Sequence, residues 1–327
     1  MHSALRLPVI DVRRPASVPL APQLRADVAA RSLLLDQLVG IESATADLRQ
    51  GSDGERLHDL RVALRRARAL IDACTGVFPE RMRARCKRDL RRANELAGAV
   101  RDLDVLLAAF PAYKVRLAAT SRPYVEALRR ELERNRQPAW NAMRAGLESD
   151  AWQHWIDASR AFLESPVPRR SSLVHAMQPV RELAVVRIDC ALAKVIKRGR
   201  RIAGDTPAES LHRLRLKVKR LRYLVEAFRS LYEDAAAAGE LIAALKVFQD
   251  YLGAHQDLEV HARAIAAQAT RLEASGRASP ALLRAAGALT DSLLAERGAV
   301  RALYGERFAA FDTLEHLAAF RALAPGG

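Results

Sequence analysis

The segment LHDLRVALRRARAL, from Leu57 to Leu70, returns from Leu211 to Leu224 as LHRLRLKVKRLRYL. The offset is 154 in a chain of 327 residues. One pattern used twice, half a chain apart, calls for a fold that repeats the same local structure. His58 matches His212, Arg61 matches Arg215, and Arg65 matches Lys219. Arg66 matches Arg220 and Arg68 matches Arg222.

At 100° per residue each copy is an amphipathic helix. Leu57, Leu60, Leu64, Ala67 and Ile71 make one apolar stripe; Leu211, Leu214, Val218, Leu221 and Val225 make its twin. Beside each runs a second stripe, at i, i+3, i+7 and i+10. In the first copy it holds His58, Arg61, Arg65 and Arg68; in the second, His212, Arg215, Lys219 and Arg222. Arg66 and Arg220 sit further round the polar face. Like charges so spaced repel by a few tenths of a kcal/mol per pair, and Asp59 is the only acid between Leu57 and Ile71. A solvated arginine face is the plain reading of any one of these cations. The same stripe kept twice, histidine included, reads instead as a surface for an anion.

A second match extends the repeat. AGAVRDLDV from Ala97 to Val105 resembles LGAHQDLEV from Leu252 to Val260, at an offset of 155. Gly98 and Gly253 are expected at helix ends or close helix contacts. Asp102 and Asp257 are expected to cap the helices that follow, or to orient a neighbouring arginine. Nearly everything after Gln23 reads as helix, with strand-like alternation absent. Helices are expected near 24–49, 55–75, 80–98, 101–118, 123–147, 151–164, 173–203, 208–232, 235–253, 256–275 and 280–321, the last interrupted. Prolines and glycines set the breaks, including Pro111 and Pro138. SPVPRRSS, from Ser165 to Ser172, divides the halves. The expected fold is all-α: two related helical bundles, 24–164 and 173–321, about a pseudo-two-fold axis, with a central basic trough. Residues 1–23, broken by four prolines, are expected to be a mobile lead-in.

Charge narrows the partners. The net charge is +15, and of 53 cations 46 are Arg and 7 are Lys. Arginine's fork pairs phosphate oxygens two at a time. From Arg56 to Arg92 there are 12 Lys and Arg against 4 Asp and Glu. Aromatic residues make up 5% of the chain, and only Tyr223 interrupts a basic stripe. Single-stranded nucleic acid normally needs stacking platforms, and duplex readers need base-edge side chains on a docking helix. A phosphate polymer without bases needs only rows of cations. A nucleic-acid-binding helical protein is the first alternative. A histidine-dependent phosphohydrolase or phosphotransferase is the second; it would need a carboxylate or metal cluster beside His58 or His212. The pair Asp102 and Asp104, echoed by Asp257 and Glu259, is better explained by capping. No catalytic residue, metal ligand set or cofactor is expected. Three cysteines without a CxxC pair fit a reducing compartment. No apolar run approaches a membrane span, so the expected location is cytoplasmic, without membrane binding. The oligomeric state is open.

The doubled HxxRxxx[RK]RxR pattern, its second copy ending in LRY, together with the GxxxD segments, resembles the CHAD domain, the conserved histidine α-helical domain. The resemblance covers residues 24–321. It departs at LAGAVRD, where Ala97 replaces the usual Leu and Val100 stands opposite His255. No ExExK-like strand motif accompanies it, so the chain reads as a stand-alone CHAD protein. The resemblance implies two related helical bundles binding inorganic polyphosphate through a basic surface, with polyphosphate granules as a destination. It assigns binding to His58, Arg61, Arg65, Arg66 and Arg68, and to His212, Arg215, Lys219, Arg220 and Arg222. Arg85, Arg88, Arg91, Lys246 and His255 follow as a second tier.

Overall fold

A computed structural model describes residues 20–51, 54–204 and 206–322. The described residues form eleven α-helices and no strand. They are α1 (Ala26–Gln50), α2 (Gly54–Ala73), α3 (Glu80–Lys114), α4 (Arg122–Leu147) and α5 (Asp150–Glu164), then α6 (Val180–Gly199), α7 (Ala208–Ala227), α8 (Ala235–Ala274), α9 (Pro280–Ala302), α10 (Tyr304–Phe311) and α11 (Leu314–Arg321). The all-α expectation holds. Most of the expected N-terminal lead-in lies outside the described residues. From Leu20 the chain is anchored: that side chain is buried, and its N–H donates to the Ser230 hydroxyl at 3.1 Å.

Two expected pairs of helices are each one helix. The expected helices 80–98 and 101–118 are joined in α3, which ends at Lys114, and 235–253 and 256–275 are joined in α8, which ends at Ala274. Gly98 and Gly253 lie inside these helices, where lost entropy costs about 1 kcal/mol each relative to Ala. Packing on both sides of the glycine outweighs that cost: Ala97 and Val100 are fully buried on α3, as are Leu252 and His255 on α8. Pro111 and Pro138 also lie within helices, at exposed positions of α3 and α4. The expected helix from 173 begins only at Val180, because residues before it pair with the start of α1: Ala26 N–H donates to Gln178 O and Val180 N–H to Leu24 O.

Three apolar clusters hold the helices. One joins α1, α2, α5 and the near halves of α3 and α4, and includes Leu57, Leu60, Leu64 and Trp152. A second joins α6, α7, the start of α8, α10 and α11, and includes Leu211, Leu214, Val218 and Phe311. The expected apolar stripes of both motif helices are thus core, each buried leucine contributing about 2 kcal/mol. The third cluster belongs to both halves of the chain. Leu106 and Phe110 of α3 and Leu128 and Leu132 of α4 pack with Leu258 and Ile265 of α8 and Leu289 of α9. The motif helices α2 and α7 pack against each other as well.

Candidate anion-binding trough

The contact between α2 and α7 carries two ion pairs of matching kind. Arg66 of α2 meets Glu226 of α7 at 2.9 Å, and Arg220 of α7 meets Asp72 of α2 at 3.6 Å. Arg66 and Arg220 hold the same place in the repeated pattern, 154 residues apart, and so do Asp72 and Glu226. Reciprocal contacts of this sort arise where two like surfaces face each other. Lys87 of α3 also reaches Asp72, at 2.5 Å. Arg66 and Arg220 therefore already have carboxylate partners, and serve first to join the two helices.

The stripes beside them behave differently. Arg61 turns toward α3, where a Cβ added at Gly98 would lie 2.8 Å from its Nη1. Only a residue without a side chain leaves the guanidinium there. At the matching place Arg215 lies over Gly253 of α8, with Nη2 3.7 Å from such a Cβ. Asp102 is 3.8 Å from Arg61 and Asp257 is 3.8 Å from Arg215. The two aspartates sit in mid-helix, so they orient arginines and do not cap helices. At 3.8 Å neither pair is a close hydrogen bond. Arg61 Nη1 and Arg215 Nε are buried and make no hydrogen bond to the described residues. The arginine side chains are only 15% and 18% exposed, and burial lowers both pKa values.

Arg65 and Lys219 bring the two stripes together. Arg65 donates from Nε to the Arg61 carbonyl at 3.1 Å, and its charge bears on Arg61 of its own helix and on Arg215 and Lys219 of α7. Lys219 makes no ion pair with the described residues. Burial, then Arg215 and Arg65, push its pKa down to about 7, against the pull of Asp257. His58 is exposed; burial of its ring and the charges of Arg101 and Arg65 lower its pKa, so it is neutral at pH 7. His212 shares a 2.8 Å hydrogen bond between Nδ1 and Gln256 Oε1. The result is a cluster of four mutually repelling cations, Arg61, Arg65, Arg215 and Lys219, where α2 and α7 meet, flanked by α3 and α8.

The other expected residues divide. Arg68 is exposed and has no ion pair among the described residues, while Arg222 is only 16% exposed and lies 3.4 Å from Glu226. Lys246 is exposed and without an ion pair among the described residues, and Arg91 stands 3.9 Å from Glu95. Both lie on the helix faces that carry Gly253 and Gly98. Arg88 is exposed beside Asp89, off that face. Arg85 is exposed and lines an apolar pocket between α1, α2, α3 and α5, apart from the trough. His255 is not a surface ligand: it is 2% exposed, its pKa is pushed down to about 4 by burial and by Arg297 and Arg301, and its counterpart Val100 is fully buried. The histidine occupies a core position. Arg101 and Gln256, absent from the expected set, flank the histidines of the trough. The repeat register could have found them, since they precede Asp102 and Asp257 by one residue.

No cluster of three or more His, Cys, Asp or Glu suited to a metal ion occurs among the described residues. No described helix is long and apolar enough to cross a membrane.

Comparison with known proteins places this geometry. The family model of the CHAD domain matches residues 32–266. A crystal structure of the CHAD domain from the plant Ricinus communis superposes with a TM-score of 0.75, at 24% identity, covering 92% of this chain and 96% of that one. PptA from Streptomyces chartreusis superposes with a TM-score of 0.68, at 19% identity, covering 88% and 100%. An uncharacterized protein of Mycobacterium tuberculosis is 27% identical over 289 residues, which cover 84% of this chain and 52% of the relative. The chain thus spans about half the length of that relative.

Proposed function

The chain belongs to the CHAD domain family, and from that premise we propose that the trough binds inorganic polyphosphate without turning it over. One observation carries the reading. Arg61, Arg65, Arg215 and Lys219 crowd together where α2 and α7 meet, with buried N–H groups on Arg61 and Arg215 that no acceptor among the described residues satisfies. Burying such groups unpaired costs about 1–3 kcal/mol each, which a phosphate oxygen would return. The family is associated with polyphosphate, and a flexible chain of phosphates supplies acceptors at the density the cluster demands. His58, neutral at pH 7, donates a hydrogen bond at the rim. Arg68, Arg91 and Lys246 extend the path outward, and polyphosphate granules are the cellular target.

Long polyphosphate should outcompete duplex DNA at equal charge concentration, and affinity should fall steeply with salt as counterions are released. Displacement of polyphosphate by duplex DNA would favour the nucleic-acid reading instead. Arg65→Ala combined with Lys219→Ala, two positions off the apolar stripe, should weaken binding by about a hundredfold, from two charge-assisted hydrogen bonds. Titration calorimetry showing unchanged affinity would move the site elsewhere. Purified protein incubated with polyphosphate should release no phosphate; release would restore the phosphohydrolase reading.

A further inference from the structure

The face of α6 and α7 turned away from the trough carries cations that the first half of the chain lacks. At the offset of 154, α6 corresponds to α1 and α7 to α2. The cores agree position by position: Leu34, Leu38 and Ile41 are buried, and so are Ile188, Leu192 and Val195. The outer faces differ. In the first half a Cβ on Gly40 would lie 3.8 Å from that of Ala63, and Ala44 follows one turn on. The matching residues are Lys194, Lys217 and Arg198. Beside them, Arg56 lies 3.4 Å from Asp47 and 4.0 Å from Asp59. The counterparts are Ser210, Arg201 and Arg213, so both carboxylates become guanidiniums and the one cation becomes a serine. The fold does not require these cations, since the same helix pair forms without them.

The charge is also left standing. Lys194, Arg198, Arg201 and Lys217 make no ion pair among the described residues, and Arg213 has only the exposed Glu209, at 2.9 Å. Asp72, reached by Arg220 at the far end, is already shared with Lys87. Burial, then Arg198, Lys194 and Arg220, lower the pKa of Lys217. Like charges gathered in this way wait for an anion. Three of the chain's seven lysines, 194, 197 and 217, stand here, and a hydrated ammonium on a flexible stem grips by charge without a fixed geometry. Lys194 and Arg201 are roughly 10 Å apart along the helix axis, too far to converge on one phosphate. Helix α6 has no aromatic side chain, and Tyr223 of α7 is buried, so bases find no stacking platform. Lys217 stands about 160° round α7 from both Arg215 and Lys219, which separates this face from the trough.

We propose that the outer face of α6 and α7 is a second polyphosphate-binding surface, so that one molecule holds two strands and cross-links long chains. The inference rests on the reading of the trough as a polyphosphate site. The trough grips through half-buried arginines. The outer face grips through exposed charge alone and is the weaker of the two. A long chain caught by the trough of one molecule and the outer face of another bridges them, and many such bridges condense the polymer.

The test is calorimetric titration of the full chain with a short oligophosphate, paired with light scattering on long polyphosphate. The wild type should take up two oligophosphates, one tightly and one weakly. With long chains it should scatter strongly near charge balance and clear when polyphosphate is in excess. Lys194→Ala, Arg198→Ala and Lys217→Ala together should weaken the second site by roughly tenfold, keep the first, and scatter little. The last two install the residues that the first half carries at 44 and 63. Arg65→Ala with Lys219→Ala should do the reverse, losing the tight site and keeping the weak one. A single oligophosphate per wild-type molecule, or unchanged scattering by the triple variant, would overturn the second surface and leave the trough standing. Displacement from the weak site by phosphatidylglycerol vesicles at equal charge would do the same, and would make the face a membrane surface. A tight site untouched in Arg65→Ala with Lys219→Ala would strike the trough reading, and this inference with it. Should the triple variant not fold by circular dichroism, Arg201→Asp with Arg213→Asp decides by the same readings, since both positions are exposed and receive the first half's residues.

Discussion

Replacing Lys219 by Met should stabilise the free protein while weakening its grip on polyphosphate. The ammonium sits among Arg215, Arg65 and Arg61, and its pKa falls from 10.5 to about 7. At 1.36 kcal/mol per pKa unit, that difference is about 5 kcal/mol of unfavourable environment for the charged form. Water around the cluster screens part of it, leaving about 2 kcal/mol to be recovered by Lys219→Met at pH 6. The sign follows from proton binding. Between pH 7 and 10.5 the unfolded chain holds the lysine proton and the folded chain does not, so stability rises with pH in that window. Below pH 7 both states are protonated and the full penalty remains. A bound polyanion reverses the balance by drawing the proton back. At pH 8 the free lysine is about nine-tenths neutral, so binding should take up about 0.9 proton per site. Calorimetry in buffers of different ionisation enthalpy measures this uptake directly. Long polyphosphate keeps the contribution of chain ends small, and Lys219→Met should remove most of the uptake. Equal proton uptake in wild type and Lys219→Met would refute the reasoning, as would a variant less stable than wild type at pH 6.

Gly98→Ala and Gly253→Ala should separate packing from ligand geometry: each gains about 1 kcal/mol of helix propensity, but only Gly98→Ala displaces a guanidinium, so only it should lose affinity in a parallel titration. Glu226→Gln, which removes the carboxylate shared by Arg66 and Arg222, should tighten polyphosphate binding while lowering the melting temperature; unchanged affinity would place both arginines outside the ligand's reach. His255→Val, which installs the residue found at position 100, should leave polyphosphate affinity unchanged and raise stability by about 1 kcal/mol. The wild-type histidine is held neutral down to about pH 4, so its unfolded form takes up a proton first. Stability should therefore fall from pH 6.5 toward 4 in wild type more than in His255→Val, as acid titrations followed by circular dichroism would report.

The apolar stripes of α2 and α7 were readable because period and burial coincide: Leu60 and Leu214 are core because they recur every three or four residues. The cationic stripes were readable for the same reason, since Arg61, Arg65, Arg215 and Lys219 keep one angular position on their helices. What failed was local. Glycine at 98 and 253 reads as a helix end or a close helix contact; it is no end, and the close approach is that of an arginine, which no neighbouring residue announces. For Asp102 and Asp257 the sequence leaves capping and orienting an arginine as alternatives; their mid-helix position selects the second, and each long helix reads locally as two. His255 reads as a ligand from its residue type alone; Val100 at the matching place was the signal that the position is core. Arg66 and Arg220 stand on the polar face as expected, but a helical wheel cannot show that a carboxylate from the other motif helix awaits each of them.

The third apolar cluster has a consequence for any attempt to divide the protein. Leu106, Phe110, Leu128 and Leu132 are covered by side chains supplied from beyond position 250. A chain ending at Pro168 would carry α3 and α4 as a hairpin with one greasy side and nothing to cover it. The best available cover is another such hairpin, because the missing half offers the same kind of surface from α8 and α9. The isolated first half should therefore associate in pairs, each pair setting two copies of the Arg61 helix near each other. The linker through SPVPRRSS then acts as a tether: it holds the partner surface at high local concentration and makes assembly of the trough independent of how dilute the protein is.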